Sequence, residues 1–273
     1  MSTRRERFVA YALLIGMCAL TLGPLIGMAL LALHPVGAPV SGFQIPDGIH
    51  LESFGHAWET ARFSTYLRSS LLFSIAICLA TTFLSILSGY AFGTMRFLGS
   101  TAVFYLLVLG MIIPYEVLVI PLYYDLRELS LVDTPWAVIL PQVAVNVGFG
   151  TFWMRASFRT FPPSLAEAAS LDGATSWRTL WSVLVPPARP AILTLVLLTF
   201  VWSWNEFLLP LVMIQSEDLR TGPLGLAFFT GRFATDRVGL AAASVMLAGP
   251  IVLLFIALQR NFVRGVLLGA SNE

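Results

Sequence analysis

Two carboxylates, Glu116 and Glu206, stand inside stretches otherwise built of Leu, Val, Ile and Phe. An ionisable group near a bilayer centre costs about 2.5–3.5 kcal/mol on insertion scales, so such groups face a bundle interior or a watery path. Asn205 adjoins Glu206, Trp202 and Trp204 precede it, and Asn146 lies in a further apolar run. Flat aromatic faces beside amides and a carboxylate suit a sugar, whose ring offers a C–H face and a rim of hydroxyls. Glu116 follows Pro114, where a kinked helix leaves carbonyls exposed. Glu116, Asn146, Trp204, Asn205 and Glu206 are therefore candidates for lining a path. Plainer readings stay open: Glu206 as the partner of an arginine or the cap of a break at Pro210, Glu116 as a structural hydrogen bond.

Other chemistry finds little footing. No constellation of Ser, His and Asp falls in the apolar stretches, so no catalytic residue is named. His34, His50 and His56 share one loop without metal-ligand spacing, and no metal is expected. Cys18 and Cys78 each lie in an apolar run and read as buried small residues. All sixteen basic residues are arginine, whereas a Walker A loop needs a lysine on its phosphates, so this chain carries none. It is not expected to be an enzyme; if ATP drives it, ATP and Mg bind to a partner. A net charge of +1 without a basic cluster gives no sign of nucleic acid.

The elements around these residues follow from composition. Hydrophobic types make up 57% of the 273 residues and charged types 11%, with a mean hydropathy of +0.82. A soluble domain carries about 25% charged residues. A hydrocarbon core about 30 Å thick takes around 20 apolar residues per helix. Six runs fit: about 9–33, 68–93, 101–124, 136–157, 189–214 and 238–259. The expected fold is an all-α membrane protein of six transmembrane helices, a single domain over 1–273. The first run follows Arg4, Arg5 and Arg7 and outruns a signal peptide's apolar core of about 7–15 residues, so a retained helix is expected. With the N-terminus inside, ten arginines fall in inner segments and six in outer ones, in line with the positive-inside tendency. Both termini are then cytoplasmic, and 158–188 is the one long inner loop. Trp136 and Trp153 read as interfacial anchors.

That loop is polar but not shapeless. Pro162 and Pro163 oppose continuation of the fourth span, and Ser164 with Glu167 three residues on fits a capping box. Ala166, Ala168, Ala169 and Leu171 favour helix, and Gly173 suits a left-handed stop. Thr175 or Ser176 caps a second short helix from Trp177 to about Val185, ended by Pro186 and Pro187. The small residues Ala168 and Ala169 leave a low surface, and Arg155, Arg159 and Arg178 are near enough to meet a partner's carboxylates. A simple connecting loop is the plain alternative.

The order Glu167-Ala168-Ala169, Gly173, Val183, Val185, Pro186, with Asp172-Gly173-Ala174 at its centre, resembles the EAA loop of bacterial ABC importer permeases. SWNEFLLPL at 203–211 is similar to the W-N-E-F run of carbohydrate permeases. IPLYYDLRELSLVDT at 120–134 resembles their segment after the third span, with Ser130 where glycine is usual. QRNFVRG at 259–265 resembles their tail, although this chain ends LLGASNE. The resemblance covers nearly the whole chain and lies nearest the maltose-type permease subunit of carbohydrate importers.

The resemblance implies a multi-pass permease subunit of a bacterial inner membrane, for a sugar or sugar-like solute, working by alternating access. It implies a cytoplasmic coupling helix between spans four and five. Ser164, Glu167, Ala168, Ala169, Leu171, Asp172, Gly173 and Ala174 would dock there in an ATPase cleft. The partners implied are a second, different permease, two ATP-binding cassette subunits, an extracytoplasmic solute-binding protein and membrane lipid. No cofactor is implied for this chain itself. A glycerol-phosphate or peptide permease, or an ion-driven secondary transporter using Glu116 or Glu206, is the alternative.

Overall fold

The computed structural model describes residues 4–40, 42–231 and 235–270, the last eleven of these by backbone alone. Arg232 and the side chains of the family-like tail from 260 onward lie outside the described residues. The main helices are α1 (Arg4–Leu31), α2 (Glu52–Thr60), α3 (Phe63–Thr94), α4 (Ser100–Gly110), α5 (Tyr115–Glu128), α6 (Trp136–Arg159), α7 (Pro163–Leu171), α8 (Ser176–Trp204), α9 (Leu208–Met213) and α10 (Arg237–Ala270). Among the described residues there is no β-strand beyond an isolated bridge between Thr230 and Thr235. By length and hydropathy, α1, α3, α6, α8 and α10 can each cross a membrane, and α4 with α5 makes a sixth span if the pair is one bent crossing.

The expected third span is not one helix. It breaks between Gly110 and Tyr115, and the two halves meet at 96°. Pro114 has no N–H to continue the ladder and disfavours helical backbone at Ile113; it sits extended, at φ −60° and ψ 116°. The expected fifth span differs as well. Its helix stops at Trp204 and resumes as α9 after 205–207, because Pro210 cannot donate to the carbonyl of Glu206.

Pro186 and Pro187 do not end a short helix before α8, as the sequence suggests. The helix runs through them from Ser176. It does so by widening into a π turn over Thr179–Leu184, in which the Val185 N–H reaches back to Leu180 O. Such a five-residue bulge shifts the hydrogen-bond register where prolines leave carbonyls without donors.

The chain divides into two compact units, one of Met1–Ser64 with Gly225–Pro250, the other of Thr65–Leu224 with Ile251–Glu273. In the first, α1 buries none of its residues, and Cys18 is exposed, contrary to expectation. The loop after α1 is pinned by polar bonds. Ser53 Oγ donates to His34 O at 2.6 Å, Arg237 Nη1 donates to Val40 O at 3.2 Å, and His56 lies 3.4 Å from the Asp236 carboxylate. Asp236 also accepts from the Gly239 N–H and so caps α10.

The second unit holds two buried clusters. Phe73, Ile77, Val119, Leu126, Val138, Leu209 and Met213 join α3, α5, α6 and α9. Ile86, Tyr90, Met154, Phe158, Leu180, Leu184 and Leu195 join α3, α6 and α8. Lipid is as apolar as these side chains, so close packing rather than expulsion from water holds the helices together. The approach of α3 to α6 is set by small residues. A methyl at Gly89 would stand 2.5 Å from Met154 Cβ and 2.9 Å from the Arg155 backbone nitrogen. Ser88 and Thr151 share a 2.6 Å hydroxyl bond across the same seam.

Candidate functional site

Three helix segments of the second unit enclose a cavity of about 460 Å³. The α6 wall contributes Gln142, Asn146 and Phe149, which share one helical face at spacings of four and three. The break between α4 and α5 contributes Met111 and Tyr115; the end of α8 contributes Trp202, Asn205 and Glu206. Helix breaks place these groups: where the backbone leaves its ladder, a side chain at the end of one helix turns toward the start of another.

Glu206 is held from two sides. Its Oε1 accepts the Leu209 N–H at 3.0 Å, so the carboxylate caps the first turn of α9. Its Oε2 accepts the Tyr115 hydroxyl at 2.8 Å. The cap that the sequence left open as the plain reading is present, and the same residue lines the cavity.

The amides are tied at one end. Asn146 Nδ2 donates to Gln142 O and Asn205 Nδ2 to Val201 O, each at 2.8 Å, and both residues line the cavity. Gln142 and Asn146 are 6% and 8% exposed, so their polar atoms have little other outlet than this space. Trp202 meets Phe149 edge to face, with ring centroids 4.9 Å apart, and keeps 43% of its surface open.

Two sequence candidates fall elsewhere. Trp204 is 1% exposed and stacks on Phe200, so Trp202 supplies the aromatic face instead. Glu116 is exposed and outside the cavity wall; its neighbour Tyr115 points in. Tyr115 and Gln142 are lining residues that the sequence did not single out. Gln142 was detectable as a polar group one helical turn before Asn146. Trp153, read as an interfacial anchor, donates Nε1–H to Ala191 O at 2.9 Å.

A second polar region surrounds α7. Its helix starts at Pro163, the favoured first position for proline, and has no side-chain cap. Ser164 therefore lies within the first turn and the expected capping box does not form. At the other end, Gly173 takes φ +76°, the Gly173 N–H donates to Ser170 O at 3.0 Å and the Ala174 N–H to Ala169 O at 2.9 Å. These two bonds make a Schellman stop. Thr175 then accepts from the Arg178 N–H and caps α8.

Ala169 is buried, but Glu167, Ala168 and Asp172 are exposed, as are Leu165 (39%) and Leu171 (89%). Two open leucines flanking an open alanine make an exposed apolar strip on a helix whose one charged residue is Glu167. Arg155 is not free to meet a partner. Its Nε donates to Phe92 O at 3.2 Å and its guanidinium lies 3.8 Å over the Phe104 ring.

Residues 82–268 match the family model described as "Binding-protein-dependent transport system inner membrane component". The chain is 33% identical over 225 residues to the arabinooligosaccharides transport system permease protein of Halalkalibacterium halodurans, covering 82% of this chain and 80% of that protein. It is 27% identical over 271 residues to a diacetylchitobiose uptake system permease protein of Streptomyces coelicolor, covering 98% and 90%. Its fold resembles a chain of a bacterial ABC transporter involved in the import of the acidic polysaccharide alginate, at a TM-score of 0.80 and 21% identity, over 96% of this chain and 99% of that one.

Proposed function

The chain belongs to the family of inner membrane components of binding-protein-dependent transport systems, and we propose that it couples an ATPase to one half of the path of a sugar importer. As a permease subunit of an ATP-driven sugar importer it is a multi-pass protein of the inner membrane. Its termini face the cytoplasm in this reading, which puts α7 on the same side as the ATPases. ATP and Mg bind to those partners. A second, different permease completes the path, and an extracytoplasmic binding protein delivers the solute.

One observation supports the coupling most directly. The helix α8 begins at the cap beside α7 and ends at Trp202 and Trp204, next to Asn205 and Glu206. At about 1.5 Å per residue, its 29 residues form a rod about 43 Å long. Packing of α7 against the π turn of α8 gives a push on α7 a mechanical route to the cavity. ATP-driven closure of the ATPases would draw the α7 helices together and rock α8, opening the cavity outward; hydrolysis would reset it.

The test is purification of the whole complex under mild detergent. The expected partners are a soluble ATPase and a second six-span chain, with the ATPase lost from Gly173→Arg. Purification of this chain alone, active in vesicles without ATP, would favour an ion-driven carrier instead.

A further inference from the structure

The cavity wall carries one carboxylate, Glu206, and among the described residues lining it there is no arginine or histidine. Its other polar groups are neutral: Tyr115, Gln142, Asn146, Trp202 and Asn205. We propose that this cavity is a subsite for one uncharged sugar unit, and that Glu206, held in place by Tyr115, excludes sugars bearing a carboxylate or phosphate. The proposal rests on the importer reading and adds the class of solute that this chain itself accepts.

The geometry divides the work of recognition. Trp202 lines the cavity with 43% of its surface open and Phe149 against it edge to face, an aromatic pair suited to the C–H side of a sugar. Gln142 is buried to more than nine-tenths, and its side-chain amide has no hydrogen-bond partner among the described residues. An amide on the cavity wall is free to pair with a solute, and a hydroxyl can both donate to it and accept from it. The oxygens of Asn146 and Asn205 add acceptors, and each amide nitrogen keeps a second N–H beyond its bond to the backbone. Tyr115 matters through Glu206: its hydroxyl occupies Oε2, while Leu209 N–H occupies Oε1. The carboxylate is thus fixed and keeps the remaining lone pair on each oxygen for hydroxyl donors. An anion would meet it without any cation to compensate. A second carboxylate about 6 Å away, at an effective dielectric near 20, would be disfavoured on the order of a hundredfold.

The proposal is tested on the intact complex in nanodiscs with the binding protein omitted, so that the selectivity of that protein does not enter. Tryptophan fluorescence is followed on titration with trehalose and with N,N′-diacetylchitobiose, and separately with the disaccharide of mannuronate. At least one uncharged sugar is expected to give a saturable change, and dimannuronate to bind at least tenfold more weakly. The change should vanish in Trp202→Phe, which keeps an aromatic face but removes the reporting indole. Glu206→Gln retains an oxygen for the Leu209 N–H and should narrow the discrimination at least tenfold. The proposal is overturned if dimannuronate binds the natural protein as tightly as the uncharged sugars, or if Glu206→Gln leaves the discrimination intact. It is equally overturned if neither uncharged sugar binds, or if the signal survives Trp202→Phe undiminished. The importer reading stands or falls separately, on whether Gly173→Arg releases the ATPase.

Discussion

The Tyr115 hydroxyl donates to the Glu206 carboxylate at 2.8 Å and so ties together two helix breaks that lie 91 residues apart in the chain. Tyr115 opens α5 directly after Pro114, and Glu206 fills the gap between α8 and α9. Removing the donor leaves a partly buried carboxylate oxygen without its partner, and hydrogen bonds to charged groups contribute about 1.5–3 kcal/mol. Tyr115→Phe is expected to lower stability by about that amount, read as an earlier thermal unfolding midpoint in detergent. An unchanged midpoint would mean that water replaces the tyrosine at no cost.

Gly173 separates two effects that are easily confused. Nothing lies within 4 Å of a Cβ added there, but its φ of +76° strains any L-residue by about 1–2 kcal/mol. Gly173→Ala should therefore weaken the turn and leave ATPase binding largely in place. Gly173→Arg adds bulk at the proposed docking face and should abolish co-purification of the ATPase while membrane insertion persists. Equal loss in both variants would assign the effect to the turn rather than to the contact.

Leu171 is the most open apolar side chain of α7, at 89% exposure. Leu171→Asp should leave the fold unaltered and reduce ATPase binding at least tenfold, measured by pull-down from membranes. Retained binding would place the partner's cleft elsewhere.

Packing of α3 on α6 gives a test that is independent of function. Gly89→Ala has no room against Met154 and the Arg155 backbone, so the helices must separate, at about 1–3 kcal/mol for overpacking. Gly16→Ala, where nothing lies within 4 Å, should be neutral. The comparison is made by thermal unfolding of the two variants side by side.

Acid should loosen the loop between α5 and α6. The Asp133 carboxylate accepts the Ser216 N–H, the Gln215 N–H and the Ser216 hydroxyl at 2.8–2.9 Å, and the Ser216 backbone bond is the largest cause of a pKa below the ordinary 3.8. A depressed carboxyl stabilises the fold fully above its unfolded value, and that contribution is lost as pH falls through the lower folded value. Asp133→Asn should therefore unfold at lower temperature than the natural protein at neutral pH, and the two should converge as pH falls below the ordinary 3.8 and through the lower folded value. A gap that stays constant with pH would rule out titration of Asp133 as the cause.

Much of this architecture could be read from residues alone, because a bilayer demands about twenty apolar residues per crossing. The positions of the spans, the left-handed stop at Gly173 and the cap at Thr175 all follow from local chemistry acting over a few residues. Even the break in the third span is written locally, in Gly110 and Pro114, although its 96° angle is not. What depended on the tertiary structure is which side of each helix faces which neighbour. Trp202 and Trp204 are two residues apart, hence about 200° around the helix, and packing alone turns one toward the cavity and buries the other. The same holds for Pro186 and Pro187, which local rules make a terminus and which a π turn packed beneath α7 carries within a continuous helix. Tyr115, Gln142 and Glu206 come from three separate segments. Their sequence neighbours determine that each is polar within an apolar run, and only the folded bundle decides that they share one space.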